Sequence, residues 1–354
     1  MQVGTVSPAD MLEGQSLADG WRVVRRLDRP AGATGGTFSV GYLVEHPDGR
    51  KGFCKALDYT SMLAQADPAV ALQVATAGYL FERNLYRKCG ERRMSRVVKW
   101  LGDGVITPPG QMIPVNYIIL ERAEYDIRQE LDLEADLEAT LRLRTLHHVA
   151  TGLRQLHQHL IVHQDLKPSN VLVFTSAAEG RNSKITDLGR ATDVTIPAFQ
   201  DDLKIAGDAS YAPPEQLYNA IPQDFGPRRL ACDLYQLGSL ATFMFTTASM
   251  NALLKMELAP AHAWTSWTGT YEEVLPYVRA AYGKALETFR SETPKSVSQE
   301  LTKLVGYLCD PDPFQRGYPL NKENAAHRYD LERFISKLDM LSIRASMRAR
   351  GIIS

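Results

Sequence analysis

The chain has 354 residues, 44% hydrophobic and 23% charged, enough to bury a sizeable core in about two domains. Lys and Arg number 40 against 41 Asp and Glu, a formal net charge of −1 that supplies no global pull toward nucleic acid or a membrane surface and argues against both as partners. Cys54, Cys89, Cys232 and Cys309 fall at no metal-ligand or redox spacing, no basic start with an apolar run opens the chain, and no window approaches the ~20 apolar residues of a membrane span; a cytoplasmic protein with reduced thiols is expected.

Residues 1–20 read as a polar lead-in, partly disordered. From Trp21 the pattern becomes an antiparallel meander: a strand over 21–27, the small-residue loop Ala31-Gly32-Ala33-Thr34-Gly35-Gly36, a strand over 37–45, the turn His46-Pro47-Asp48-Gly49 and a strand over 51–57. The loop containing Gly35 and Gly36 is either a plain hairpin turn or a place where backbone N–H groups approach phosphate oxygens unobstructed. Lys55 stands alone in the apolar run Phe53-Cys54-Lys55-Ala56-Leu57; it needs an anion if buried, and snorkels to water if the strand lies at an edge. Asp67-Pro68 offers an N-cap and a first helical residue for a helix to about Cys89, with Gly90 as its stop. Within it Glu82, beside Tyr79, Leu80 and Tyr86, is the best partner for Lys55, an ordinary exposed glutamate being the alternative. Strands over 97–101 and 116–120 follow, joined by a Gly- and Pro-rich loop around 107–110.

A helix is predicted over 137–160, where Leu146, Val149, Leu153, Leu156 and Leu160 recur three and four apart. His147, His148, His157 and His159 lack an acidic or cysteine partner at ligand spacing and read as surface and packing residues rather than a zinc site. Residues 229–247 are apolar on most faces, which marks a buried central helix. Residues 329–350 form an amphipathic helix ending in Arg344, Arg348 and Arg350, either a solvated face or a docking surface for an acidic partner.

Between these helices lies the stretch that carries chemistry: His163-Gln164-Asp165-Leu166-Lys167-Pro168-Ser169-Asn170, an apolar run, then Thr186-Asp187-Leu188-Gly189. Phosphoryl transfer from Mg-ATP needs an acceptor for a hydroxyl proton, a cation at the transferring phosphate and oxygen ligands for the metal. Asp165 can take the proton, Lys167 can meet the phosphate, and Asn170 with Asp187 can offer hard oxygens. The runs 171–174 and Ile185 read as a hairpin whose two ends carry Asn170 and Asp187, with His163 a structural support.

These residues resemble the catalytic loop and metal-binding motif of eukaryotic-type serine/threonine protein kinases, with His-Gln-Asp for His-Arg-Asp and Asp-Leu-Gly for Asp-Phe-Gly. The resemblance implies an α+β bilobal kinase fold: a lead-in over 1–20, a small antiparallel-sheet lobe over 21–121, a larger mainly helical lobe over 122–337 and a helical extension over 338–354. It places Gly36, ahead of Phe38, at a phosphate-loop glycine and Ser39 where a further glycine is usual; it gives Lys55 the α- and β-phosphates with Glu82 as its partner. It makes Leu120 the guard of an adenine connector that includes Glu121 and Ala123, and Asp126 a ribose contact. Asp208-Ala209-Ser210-Tyr211-Ala212-Pro213-Pro214-Glu215 resembles the end of an activation segment, with Asp208 in place of a threonine; Asp233 resembles the brace of the catalytic loop, and Arg316 in Asp310-Pro311-Asp312-Pro313-Phe314-Gln315-Arg316 the partner of Glu215.

The implied activity is transfer of the γ-phosphoryl of ATP, with Mg²⁺ or Mn²⁺, to a protein hydroxyl, including autophosphorylation, with a regulatory partner at the C-terminal helix. A pseudokinase or nucleotide-binding scaffold is the rival from another class, and a small-molecule phosphotransferase of related fold a third reading. Gln164 stands where the family's arginine captures an activation-segment phosphate, so activity without phosphorylation at Thr192 or Thr195 is expected.

Overall fold

The alternation between Trp21 and Leu57 folds as three consecutive antiparallel strands, β1 (Arg22–Arg26), β2 (Ser39–Glu45) and β3 (Lys51–Leu57). The turn into β3 closes with Gly49 at φ 90°, a left-handed conformation that glycine adopts without strain. The structure, a computed structural model, describes residues 7–28, 39–133, 138–176, 180–324 and 327–352. The chain divides into two units, Met1–Glu124 and Tyr125–Ser354.

In the first unit, α1 (Thr60–Leu63) and α2 (Pro68–Glu91) follow β3, and β4 (Trp100–Ile106) and β5 (Val115–Glu121) complete a five-stranded sheet of order β1-β2-β3-β5-β4. The Asp67 side chain accepts from the Val70 N–H and caps α2. Gly90 does not stop this helix: it runs on to Glu91, and the chain reverses at Arg93, whose φ is 52°. Strand β4 lies three residues later than the sequence suggested and extends through Gly102 and Gly104. Gly104 belongs in the strand because the Tyr117 hydroxyl occupies the space a Cβ would need.

The segment before β1 is a second correction. Residues 7–20 are not a loose lead-in, because Ala9, Leu12 and Leu17 join Trp21, Val23, Tyr42, Val44 and Tyr117 in one buried cluster. The Tyr42 hydroxyl donates to the Ala9 carbonyl at 2.5 Å and Tyr117 accepts from the Ala18 N–H at 2.9 Å, which ties the segment to the sheet.

The second unit is mainly helical. It begins with β6 (Tyr125–Asp126), α3 (Ile127–Leu133), α4 (Ala139–His157) and β7 (Ile161–Val162), then the hairpin β8 (Val171–Ser176) and β9 (Gly180–Ile185), and β10 (Thr192–Asp193). Five helices complete it after the short α5 (Pro214–Leu217): α6 (Ala231–Thr246), α7 (Met250–Glu257), α8 (Tyr271–Glu292), α9 (Lys295–Leu308) and α10 (Glu332–Ala349). Helix α6 is buried nearly throughout, as its apolar faces predict. Helix α10 passes unbroken through 337–338 and packs on α4, burying Phe334, Leu338, Leu341 and Ala345. Two of its exposed arginines reach α9, Arg344 to Glu300 at 3.0 Å and Arg348 to the Ser296 carbonyl at 2.5 Å. The architecture is α+β, a five-stranded antiparallel sheet in the first unit and a helix-rich second unit, as the resemblance implies. No single helix among the described residues is long and apolar enough to cross a membrane.

Candidate active site

In the first unit, β3 lies between β2 and β5, and its register sets Lys55 opposite Gly41 and Ile118. A lysine in an interior strand must find an anion. It does so in Glu82 of α2, with Nζ 2.8 and 2.9 Å from the two carboxylate oxygens; the glutamate side chain is 8% exposed. Glu121 ends β5 in register with Gly52, and its side chain accepts the Lys99 N–H at 2.6 Å. Leu120 is buried beside it, and Ala123 lies past the strand, half-buried. Gly35 and Gly36, like Phe38, lie outside the described residues.

In the second unit, Asp126 sits at the head of α3. Its carboxylate accepts the Arg128 and Gln129 N–H groups at 2.8 and 3.1 Å and pairs with the Arg128 guanidinium at 2.9 Å, which makes it the cap of α3.

The hairpin works as expected: Val171 pairs with Ile185, so Asn170 and the Thr186-Asp187 step sit side by side, and the Thr186 N–H donates to the Asn170 carbonyl at 3.0 Å. The loop before it is held from below by α6. Both Asp233 oxygens accept main-chain N–H groups, from His163 at 2.9 Å and Gln164 at 2.7 Å, and Oδ2 also meets His157 Nε2 at 2.8 Å. Gln236 accepts from the Leu166 N–H and donates to the Gln164 carbonyl. This bracing keeps Gln164 at φ 61°, a left-handed conformation that costs a non-glycine residue about 1–2 kcal/mol. His163 is structural: its ring meets the Thr186 carbonyl at 2.9 Å and accepts the Asp165 N–H at 3.2 Å.

The polar groups converge on Asp165. Asn170 Nδ2 donates to its carbonyl at 2.7 Å and to Oδ2 at 3.2 Å, Lys167 Nζ lies 3.2 Å from Oδ2, and the Asp208 N–H donates to Oδ1 at 2.7 Å. Burial raises the Asp165 carboxyl above the usual carboxylate range, against the pull of the Lys167 ammonium and with the charge of Asp187 adding to the rise. Asp208 behaves oppositely. Burial works to raise it, but the Ser210 N–H and Lys167 outweigh that and hold it low, so it stays anionic, 3.5 Å from Lys167. Gly207 allows this close approach, since a Cβ there would meet the Gln164 carbonyl and, at 2.6 Å, Asp165 Oδ1.

Asp187, at φ 62° and ψ 70°, opens the short 3-10 turn Leu188–Arg190. No group of three or more His, Cys, Asp or Glu suited to a metal occurs among the described residues. A Mg²⁺ ion, which keeps several waters and shares substrate phosphates, would find hard oxygen atoms on Asn170 and Asp187.

Beyond the loop, Glu215 and Arg316 form the expected buried pair, with two parallel contacts of 2.9 Å and side-chain exposures of 2% and 0%. Two neighbours of the loop were not singled out as site residues: Gln236, hidden in an apolar helix, and Arg229, whose guanidinium donates to Gln164 Oε1. The signal for Arg229 is faint, the second of two adjacent arginines at the head of a mostly apolar run.

Residues 80–329 match the family model described as the protein kinase domain. Among curated relatives, the serine/threonine-protein kinase PknA of Mycobacterium tuberculosis is 28% identical over 234 residues, 64% of this chain and 46% of its own length. PkaB of Streptomyces coelicolor, also a serine/threonine-protein kinase, is 31% identical over 119 residues, 32% and 27% of the two chains. PrkC of Bacillus subtilis, a third, is 25% identical over 130 residues, 36% and 18%. The chain thus matches less than half the length of each of these relatives.

Proposed function

This chain belongs to the protein kinase family, and from that membership we propose that it is an ATP-dependent serine/threonine protein kinase. The observation that carries the reading is the convergence on Asp165 of Lys167, Asn170 and the Asp208 N–H. Asp165 orients the acceptor hydroxyl and takes its proton; its raised proton affinity suits a base that must hold that proton briefly. Lys167 offsets charge that develops on the transferring phosphoryl group. Asn170 and Asp187 hold the divalent cation, which when bound neutralises phosphate charge, and Lys55, fixed by Glu82, holds the nucleotide phosphates. Glu121 and Ala123 present backbone groups to the base. Asp126, at the head of α3, keeps a carboxylate lone pair for the ribose. The four cysteines are buried free thiols, which supports a reducing, cytoplasmic setting.

The test is transfer of label from γ-labelled ATP, with Mg²⁺, to the protein itself or a generic basic substrate, beside Asp187→Ala. Label with wild type and none with the variant is expected. Nucleotide binding with no label under any acceptor or cation would overturn catalysis and leave a scaffold.

A further inference from the structure

Gln164, Thr192, Asp201 and Arg229 close a ring of hydrogen bonds. Gln164 Nε2 donates to Thr192 Oγ1 at 2.5 Å, Thr192 Oγ1 donates to Asp201 Oδ1 at 2.7 Å, the Asp201 carbonyl accepts from Arg229 Nη2 at 2.5 Å, and Arg229 Nη1 returns to Gln164 Oε1. The members come from four places: the residue before Asp165, strand β10, the 3-10 turn Phe199–Asp202 and the π-type turn Gly226–Leu230 that leads into α6. Gln164, Thr192 and Arg229 are 2%, 7% and 5% exposed, so water competes little for these bonds. Side contacts tighten the ring: Gln164 Nε2 also reaches the Arg190 carbonyl at 3.2 Å, Asp201 Oδ2 takes the Ala198 N–H at 2.8 Å, and Arg228 donates to the Asp201 carbonyl at 2.9 Å.

The ring works only with an amide at 164. That side chain must donate to a hydroxyl and accept from a guanidinium, and a glutamine amide does both. Arginine has donors alone. Placed at 164 it would leave Arg229 Nη1 without its acceptor and set two guanidinium groups together in a buried space whose only ring anion is Asp201. Burial and the adjacent Arg228 charge lower the proton affinity of Arg229, against the pull of Asp201 and Asp202.

We propose that Arg229 is a positioning residue, which through Gln164 and Asp201 seats residues 190–208 against the loop of Asp165 with no phosphoryl group, so that the charge at 164 and the charge at 229 are exchangeable but not additive. The seating stands on the ring alone; its effect on phosphoryl transfer rests on the kinase reading above.

The experiment uses the full chain and two independent readouts, tryptic cleavage at Arg190 and Lys204 within the seated segment, and label transfer. Q164R is expected to speed cleavage and to lower kcat, each by about tenfold or more, with KM for ATP changed less than about twofold. Adding R229Q to Q164R returns one cation to the ring and restores both readouts to within about threefold of wild type. T192V, which removes the ring hydroxyl without adding charge, speeds cleavage by itself. Wild-type behaviour of Q164R, or a double variant no better than Q164R, overturns the proposal. Should Q164R fail to fold by circular dichroism, T192V decides, and its cleavage at the wild-type rate overturns the ring. Should wild type transfer no label, the kinase reading falls while cleavage still judges the seating.

Discussion

At Asp165 the fold and the chemistry pull against each other. Burial, then Asp187, favour the protonated carboxyl in the folded state despite Lys167, so the folded proton affinity exceeds that of the unfolded chain. A group shifted in that direction stabilises the fold fully below the ordinary carboxylate pKa of about 4 and loses that contribution as pH rises through the folded value. At neutral pH the ionised base is therefore a cost. Asp165→Asn is expected to raise Tm at pH 7, with the gain shrinking as pH falls toward about 4, while label transfer drops by about 10²–10⁴-fold. Thermal melts across pH check the first part; a variant less stable than wild type at pH 7 contradicts it. At Lys55, replacement by Met leaves the Glu82 carboxylate, 8% exposed, without its ammonium. Nucleotide affinity should fall in a direct binding titration, and stability by about 1–3 kcal/mol. This pair was legible in sequence because one cation in an apolar strand demands an anion one helix away. The ring at Gln164 was not, since its two charged members, Asp201 and Arg229, lie 28 positions apart and meet only through an amide, a hydroxyl and a main-chain carbonyl.

Among the elements, the meander β1-β2-β3 and the hairpin β8-β9 were readable because turn chemistry and alternation agreed. The segment 7–20 has too few apolar residues to signal an element, Ala9, Leu12 and Leu17 standing among Asp10, Glu13, Gly14 and Gln15, so only the tertiary cluster shows their purpose. Leu12 is fully buried in that cluster. Leu12→Ala should destabilise the protein by about 2–5 kcal/mol in urea denaturation, and a cost below about 0.5 kcal/mol, the usual range for a surface residue, would show the segment to be unattached. Strand β4 was shortened in the sequence reading because Gly102 and Gly104 weaken a strand pattern; Tyr117, crossing over Gly104, supplies the reason for the second.

At the scale of the whole molecule, the order of motifs located the Glu215–Arg316 pair across 101 positions, which local patterns could not have done. Arg316 also donates to the Asp310 and Ala231 carbonyls and lies over the Tyr235 ring, so it joins the segment that leaves α9, the base of α6 and the stretch that holds Glu215. Arg316→Met alone should cost about 3–5 kcal/mol by leaving Glu215 charged and buried. Pairing it with Glu215→Leu should recover much of that loss in the same denaturation assay; a double variant as unstable as the single would show that packing, not the orphaned charge, sets the cost.

The same separation acts during synthesis. At about 5–20 residues per second, Glu215 is polymerised some 5–20 s before Arg316. Throughout that interval the stretch around Ala212-Pro213-Pro214 has no guanidinium to fasten it, and a half-made chain that already contains Asp165, Asn170 and Asp187 still lacks the clamp on its acceptor-side segment. The clamp between Glu215 and Arg316 therefore closes only after α6, α7, α8 and α9 have all been made.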